Sequence, residues 1–257
     1  MGHDTVVKMA YDLNESTWPS NSDYWIKIIR EGLDPYRLEL TNEAMLRVID
    51  PRPGMSILDV GCGEGYLTRL VAERGADVAG LDYCNEFVVA SREEARRRGM
   101  DICYEHGDAT SLPYPEASFD AVVANHLFNE LPDMDAAVAE FARVLKPGGR
   151  VIALMLHPCF YRANFQRTDR LEPILPSEYF GIRELSQKFL VSGLTSPEPV
   201  LVRLRPLEAY FGAFAAAGLT VTQLFEPHPS AEQMKEEWWQ RNFRIPLFLQ
   251  LVGTKLP

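Results

Sequence analysis

The stretch that decides the fold is Ile57 to Tyr66, ILDVGCGEGY: a short apolar run that enters a turn with Gly61, Gly63 and Gly65 at alternate positions. Tyr66 to Arg74 then carries the spacing of a helix. A strand that ends in a glycine turn and opens a helix is the first unit of an open α/β sheet, where ligands sit outside the carboxyl ends of the strands. The spacing excludes two familiar cradles. A dinucleotide fingerprint needs glycine at residue 66, where Tyr stands, and a P-loop needs Lys followed by Ser or Thr. Charge points the same way. Asp59 and Glu64 would repel a pyrophosphate by about 1 to 4 kcal/mol per close pair, and would favour a ligand bearing an ammonium or sulfonium group. The loop reads as a cradle for a nucleoside with a zwitterionic tail.

Outward from this turn, strand and helix patterns alternate. The strands read SILDVG, DVAGLD, DICYEHGD, FDAVVANHL and GRVIALMLHP, short runs of the kind buried on both faces of a parallel sheet. The helices cover Tyr66 to Arg74, Cys84 to Arg98, and Asp133 to Leu145; the last puts Ala137, Phe141, Val144 and Leu145 on one face and stops at KPGG. Repeated units of this length predict a doubly wound sheet with right-handed crossovers. Asp82 ends the second strand, where a carboxylate can bridge both ribose hydroxyls. Asp108, in HGDAT, stands where it can accept an adenine amine, with the Ala109 amide beside it.

The run LDVGCGEG, Asp82, GDATSLPYPEASFDAVVANHLFNELPD and FARVLKPGGRVIA, in this order and spacing, resembles the class I S-adenosylmethionine-dependent methyltransferases over about residues 50 to 158. The resemblance implies a seven-stranded Rossmann-like sheet with a reversed last strand and S-adenosyl-L-methionine as cofactor. It implies that Asp59, Gly61, Gly63 and Gly65 hold the methionine end, and that Asp82, with Tyr83 beside it, holds the ribose. Asp108 and Ala109 would take the adenine, and Asn125 and His126 would line the floor beneath the sulfonium. The terminal regions SDYWIKIIREGLDPYR and LRPLEAYFGAFAAAGLTV resemble bacterial small-molecule methyltransferases of secondary metabolism, including some that act on aromatic or indole-type natural products.

The remaining chain supplies the acceptor side. Residues 1–50 read as an N-terminal helical flap, 51–158 as the cofactor-binding core, 159–205 as an inserted lid after the fifth strand, and 206–257 as the rest of the core sheet. Within the insertion, KFLVSG and PVLVRLR are expected to pair as a cap hairpin. TVTQLFEP and RIPLFLQLVGTKL are expected as two late strands. Methyl transfer is an in-line displacement, so alignment and exclusion of water dominate. Where the acceptor must also lose a proton, a base is needed. His126 and His157, at the ends of the fourth and fifth strands, are candidates, with Tyr24 as a phenol from the flap. His228, Tyr11, Trp25, Trp238 and Phe160 are candidate walls of the acceptor pocket. Arg30 or Arg37 is expected to pair with the cofactor's carboxylate.

Composition bounds the alternatives. A formal net charge of −10 argues against a nucleic-acid binder, and the basic REEARRRG carries acidic partners at helical spacing. The 4 cysteines form no CxxC pair, and no metal site is expected. No stretch reaches the roughly 20 apolar residues of a membrane helix, and the N-terminus lacks a secretory layout, so a cytoplasmic location is expected. The expected partner is a small molecule, with neither nucleic acid nor membrane; a homodimer is left open. Two other classes compete with a methyltransferase: a cofactor-binding scaffold or non-methylating member of the fold, and an NAD-linked oxidoreductase, which Tyr66 and Asp59 disfavour.

Overall fold

The computed structural model of the protein describes residues 17–161 and 179–256. Tyr11 lies outside the described residues. Five strands, β1 (Ser56–Val60), β2 (Asp77–Asp82), β3 (Cys103–His106), β4 (Phe119–Asn125) and β5 (Leu145–Leu156), pair in parallel in the order β3-β2-β1-β4-β5. Four short strands follow: β6 (Arg183–Gln187), β7 (Leu190–Val191), β8 (Leu194–Thr195) and β9 (Val200–Leu204). The main sheet is then completed by β10 (Leu219–Phe225) and β11 (Phe248–Lys255). The last strand, β11, inserts antiparallel between β5 and β10 to give seven strands. The doubly wound sheet with a reversed last strand is therefore as expected. Burial explains the order: β11 is buried along its first six residues and belongs inside the sheet, whereas β10 exposes Thr220, Thr222, Gln223 and Leu224 at its edge.

Alternate residues of the central strands feed two cores, as a period of two requires. Leu58, Val60, Val122, Ala124, Val151 and Ala153 pack with Phe141 of α5 (Met134–Val144) and Phe214 of α6 (Leu207–Ala216). Ile57, Ala121, Val123, Ile152 and Leu154 pack on the other face with Met45 of α2 (Asn42–Ile49), Leu67 of α3 (Tyr66–Ala72) and Trp239 of α7 (Glu237–Asn242). Helix α4 (Asn85–Arg97) covers β2 and β3. Asp133 caps α5 by accepting the Ala136 amide at 3.0 Å.

The N-terminal helix α1 (17–30) leads into an i→i+5 turn, Arg37–Thr41, that runs on into α2. Helix α1 packs on the insertion. Asn21 exchanges two hydrogen bonds with the Glu198 backbone, at 3.1 and 2.9 Å, and Ser192 Oγ donates to Leu33 O at 2.6 Å. The insertion's pairing differs from expectation. The partner of β9 is β6, in the register Arg183↔Leu204 to Gln187↔Val200. KFLVSG instead pairs with the two residues that follow it, because Ser192 and Gly193, at φ 47° and 81°, form a two-residue turn that joins β7 to β8.

Candidate active site

The strand order reverses between β1 and β4, and a cavity of about 930 Å³ opens there at the carboxyl ends of the parallel strands. The glycine turn forms its floor. Gly61 and Cys62 amides donate to Leu81 O at 2.8 and 3.1 Å, and the Gly63 amide donates to Asp82 Oδ2 at 2.7 Å, which ties the turn to the end of β2. The three glycines play different parts, all at positive φ. A Cβ at Gly61 would lie 2.9 Å from Leu127, and one at Gly65 would lie 2.5 Å from the Tyr104 hydroxyl, so those two allow close packing. A Cβ at Gly63 would meet nothing within 4 Å. It would project into the open space that a ligand needs.

Two carboxylates face this space. Asp59 is 2% exposed; its Oδ2 accepts from Thr68 Oγ1 at 2.7 Å, and its buried Oδ1 has no partner. Burial lifts its carboxyl to about 7, and the neighbouring Asp82 adds to the rise. Asp82 is lifted by desolvation to about 6, while its oxygens are aimed by the Cys84 and Gly63 amides. Two desolvated carboxyls and an orphaned oxygen suit a ligand that brings positive charge and hydrogen-bond donors. Arg37, from the turn before α2, lines the same cavity and acts favourably on Asp59. Its buried Nε has no hydrogen bond and lies 3.7 Å from Asp34 Oδ2. The residues present therefore fit S-adenosylmethionine, with acids for its cationic groups and a guanidinium for its carboxylate.

Asp108 and Ala109 line the cavity, with Asp108 Oδ1 accepting the Thr110 amide and hydroxyl, both at 2.8 Å. Tyr83 also lines it, its ring 5.9 Å from His106. Asn125 projects a buried Oδ1 without a partner. His126 follows in the left-handed region, φ 63°, a strained setting held by its amide's 2.7 Å bond to Leu154 O. Burial, with Arg37 nearby, pushes its imidazole down to about 3, so the ring is neutral and a weak base at physiological pH.

Several expectations change in three dimensions. Glu64 does not present its charge to the ligand: its buried carboxylate meets Arg69 Nη2 at 2.6 Å and Arg30 Nε at 3.1 Å. Arg30 is thereby committed to Glu64 and to Ala90 O at 2.9 Å, and Arg37 is the guanidinium in the cavity wall. His157 is 3% exposed and turned away from the cavity. Its Nδ1 accepts the Cys159 amide at 3.2 Å, which leaves Nε2 as donor to Glu226 Oε1 at 3.0 Å. Tyr24 donates to Leu194 O at 3.2 Å, and burial pushes its hydroxyl up to about 12. Phe160 packs on His157 with ring centroids 4.7 Å apart, and His228 is exposed, its Nδ1 2.9 Å from Glu226 O. Trp25 and Trp238 do line the cavity. The cysteines are all unpaired, and Cys103 is exposed. Among the described residues, no group of His, Cys, Asp or Glu is arranged to hold a metal ion, and no helix is long and apolar enough to cross a membrane.

Sequence reasoning did not single out Trp18, Tyr36, Glu130, Tyr161 or Gln187, all of which line the cavity. Tyr36 packs against Trp238 and Phe248, at 5.2 and 5.7 Å between centroids, and donates to Asn242 O at 2.9 Å. Burial lifts the Glu130 carboxyl to about 8, against the pull of Arg203 and a hydrogen bond from Trp18. Position alone hinted at Glu130, which stands in the loop leaving β4.

A reversed strand in a seven-stranded sheet and an acid-walled glycine turn at its switch point define an S-adenosylmethionine-dependent methyltransferase, and the chain belongs to that family. Residues 58–153 match the family described as "Methyltransferase domain". The chain is 34% identical over 174 residues to a demethylmenaquinone methyltransferase of Thermus thermophilus, spanning 64% of this chain and 74% of the relative. It is 40% identical over 111 residues to nocamycin O-methyltransferase of Saccharothrix syringae, spanning 42% of this chain and only 40% of that protein. An S-adenosylmethionine-dependent methyltransferase of Mesorhizobium loti shares the fold, with a TM-score of 0.64 and 24% identity over 81% of this chain and 95% of its own.

Proposed function

We propose that the protein transfers a methyl group from S-adenosylmethionine to a small, flat, aromatic acceptor. The observation that carries this reading is one continuous cavity lined by two unlike sets of residues. Asp59, Gly63 and Asp82 form the acidic glycine turn; Trp18, Trp25, Tyr36, Trp238 and Phe248 supply aromatic walls. Apolar aromatic walls with few polar groups suit a planar small molecule. The relatives' names, for demethylmenaquinone and nocamycin, support a small-molecule acceptor.

When bound, S-adenosylmethionine supplies a methyl group made electrophilic by its sulfonium. The chain's own residues do the rest. Asp59 meets the ammonium, Arg37 the carboxylate, and Asp82 the ribose, while Asp108 and Ala109 border the adenine. Asn125 and the neutral His126 shape the floor without adding positive charge beside the sulfonium. Residues 17–50 act as a flap and 179–205 as a lid whose contacts with each other exclude water from the aromatic walls. Arg30, tied to Glu64 of the glycine turn, joins the flap to the cofactor cradle.

Calorimetric titration with S-adenosylmethionine and S-adenosylhomocysteine, followed by incubation with phenols, arylamines and indoles while S-adenosylhomocysteine release is monitored, tests this reading. Binding and turnover are expected. Absence of cofactor binding overturns it, and binding without turnover on any aromatic class would favour the scaffold alternative.

A further inference from the structure

We propose that Glu130 is the general base of this reaction and that its acceptor is an aromatic hydroxyl compound, whose O–H meets the Glu130 carboxyl at the aromatic walls of the cavity. The proposal rests on the methyltransferase reading above and extends it to the acceptor's functional group.

The geometry gives Glu130 a fixed mount. The preceding Asn129 is 1% exposed; its Oδ1 accepts the Leu156 amide at 2.8 Å, its Nδ2 donates to Arg203 O at 3.1 Å, and its own carbonyl accepts the Arg203 amide at 2.7 Å. The Glu130 carbonyl accepts Arg203 Nη1 at 2.9 Å. The loop is thus bolted to the end of β5 and to β9. Its side chain reaches the cavity beneath Trp18 of α1, beside Tyr161, whose hydroxyl is locked to Gln187 Nε2 at 2.9 Å. A base held this firmly loses little to reorganisation when an acceptor docks.

The other candidates fail on position or basicity. His126 is too weak a base, His157 and Tyr24 point elsewhere, and Asp59 and Asp82 belong to the acidic glycine turn. Charge selects the acceptor class. Arg203 of β9 is 2% exposed, its Nε meets Glu184 Oε1 at 3.1 Å, and it favours the ionised Glu130 carboxylate. A charged alkylammonium acceptor has no lone pair to offer while it is protonated. A neutral aromatic hydroxyl avoids this penalty and needs a base. Glu130 accepts the hydroxyl proton as the oxygen–methyl bond forms; the electron pair of the breaking sulfur–methyl bond stays on sulfur, and the proton passes to solvent as product leaves. The groups that act on Glu130 are Arg203 from β9, itself paired with Glu184 of β6, and the Trp18 indole from α1; Glu130 acts in turn on Tyr161 after β5. Its carboxyl near 8 should make kcat rise with pH toward that value.

The test uses the full chain with naphthols as hydroxyl probes and naphthylamines and indole as controls. Wild-type protein is expected to methylate the naphthols. E130Q should lower kcat by about 10²-fold or more with KM little changed, flatten the pH profile and leave S-adenosylhomocysteine affinity intact; E130D should recover part of the rate. Wild-type protein that binds cofactor but methylates only amines or indole, or no probe at all, overturns the acceptor class. Equal turnover and pH profile in E130Q overturns the base. Failure of the wild type to bind S-adenosylhomocysteine would instead overturn the methyltransferase reading itself.

Discussion

Replacing Asp59 by Asn tests whether the glycine cradle is built around a desolvated acid awaiting a cation. Asp59 is 2% exposed, and burial lifts its carboxyl from an ordinary value of 3.8 to about 7. A lifted acid means that the folded protein keeps a proton that the unfolded chain has already lost. The stability this provides is complete below the unfolded value and disappears as pH rises through about 7. A rise of that size corresponds to about 4 kcal/mol, so the cofactor-free protein should lose stability between about pH 4 and pH 7 by an amount of that order. Asp82, lifted to about 6, acts in the same direction. D59N should remove the larger share of this slope in thermal or urea denaturation. Cofactor binding should show the complementary trend. If Asp59 must ionise to hold the ammonium, affinity for S-adenosylmethionine falls by about tenfold or more between about pH 7 and pH 5.5, and D59N flattens that fall while weakening binding at neutral pH. Titration calorimetry reads both. A wild-type stability profile as flat as that of D59N, or equal cofactor affinity at the two pH values, would refute the argument.

Other consequences follow from the geometry. Glu64→Gln leaves Arg69, 2% exposed, without its countercharge, and should cost about 3 to 5 kcal/mol in urea denaturation while loosening α1, measured by hydrogen exchange. His157→Ala should leave turnover and cofactor affinity at wild-type levels and cost about 1 to 3 kcal/mol of stability, because its ring bonds the Cys159 amide and Glu226 away from the cavity. A tenfold loss of kcat would return it to the chemistry. Gly253→Ala in β11 puts a Cβ 2.3 Å from the Phe214 ring and should lower stability by about 1 to 3 kcal/mol, with kcat unchanged in the folded fraction.

The placement of Asp59 and Asp82 at the cavity was legible because strand ends fix positions in space. Asp59, one residue before the end of β1, and Asp82, the last residue of β2, flank the glycine turn, so their place in the sequence is their place in the cavity wall. Side-chain direction is another matter. Glu64 sits in the same turn, yet it swings back to Arg69 five residues on, and composition cannot tell a carboxylate aimed at a ligand from one aimed at its own helix. His157 misled for a topological reason. The fifth strand's end resembles the fourth's in sequence, but β5 lies between β4 and the reversed β11, one strand beyond the switch point, so its exit abuts Leu247 and Glu226.

The acceptor half was hidden because its contacts join distant parts of the chain. Trp18 meets Glu130, Tyr36 meets Trp238, and Tyr161 meets Gln187. No local period announces such pairs; they exist only once β9 and β11 have brought the insertion and the C-terminal segment against α1. The match to the methyltransferase domain ends at residue 153, and of these six residues only Glu130 lies inside it. The stretch that matches the family model carries Asp59, Gly63 and Asp82, and the chain outside it carries the other five of those six residues. Acceptor specificity here should follow substitutions at the wall, with cofactor affinity unmoved.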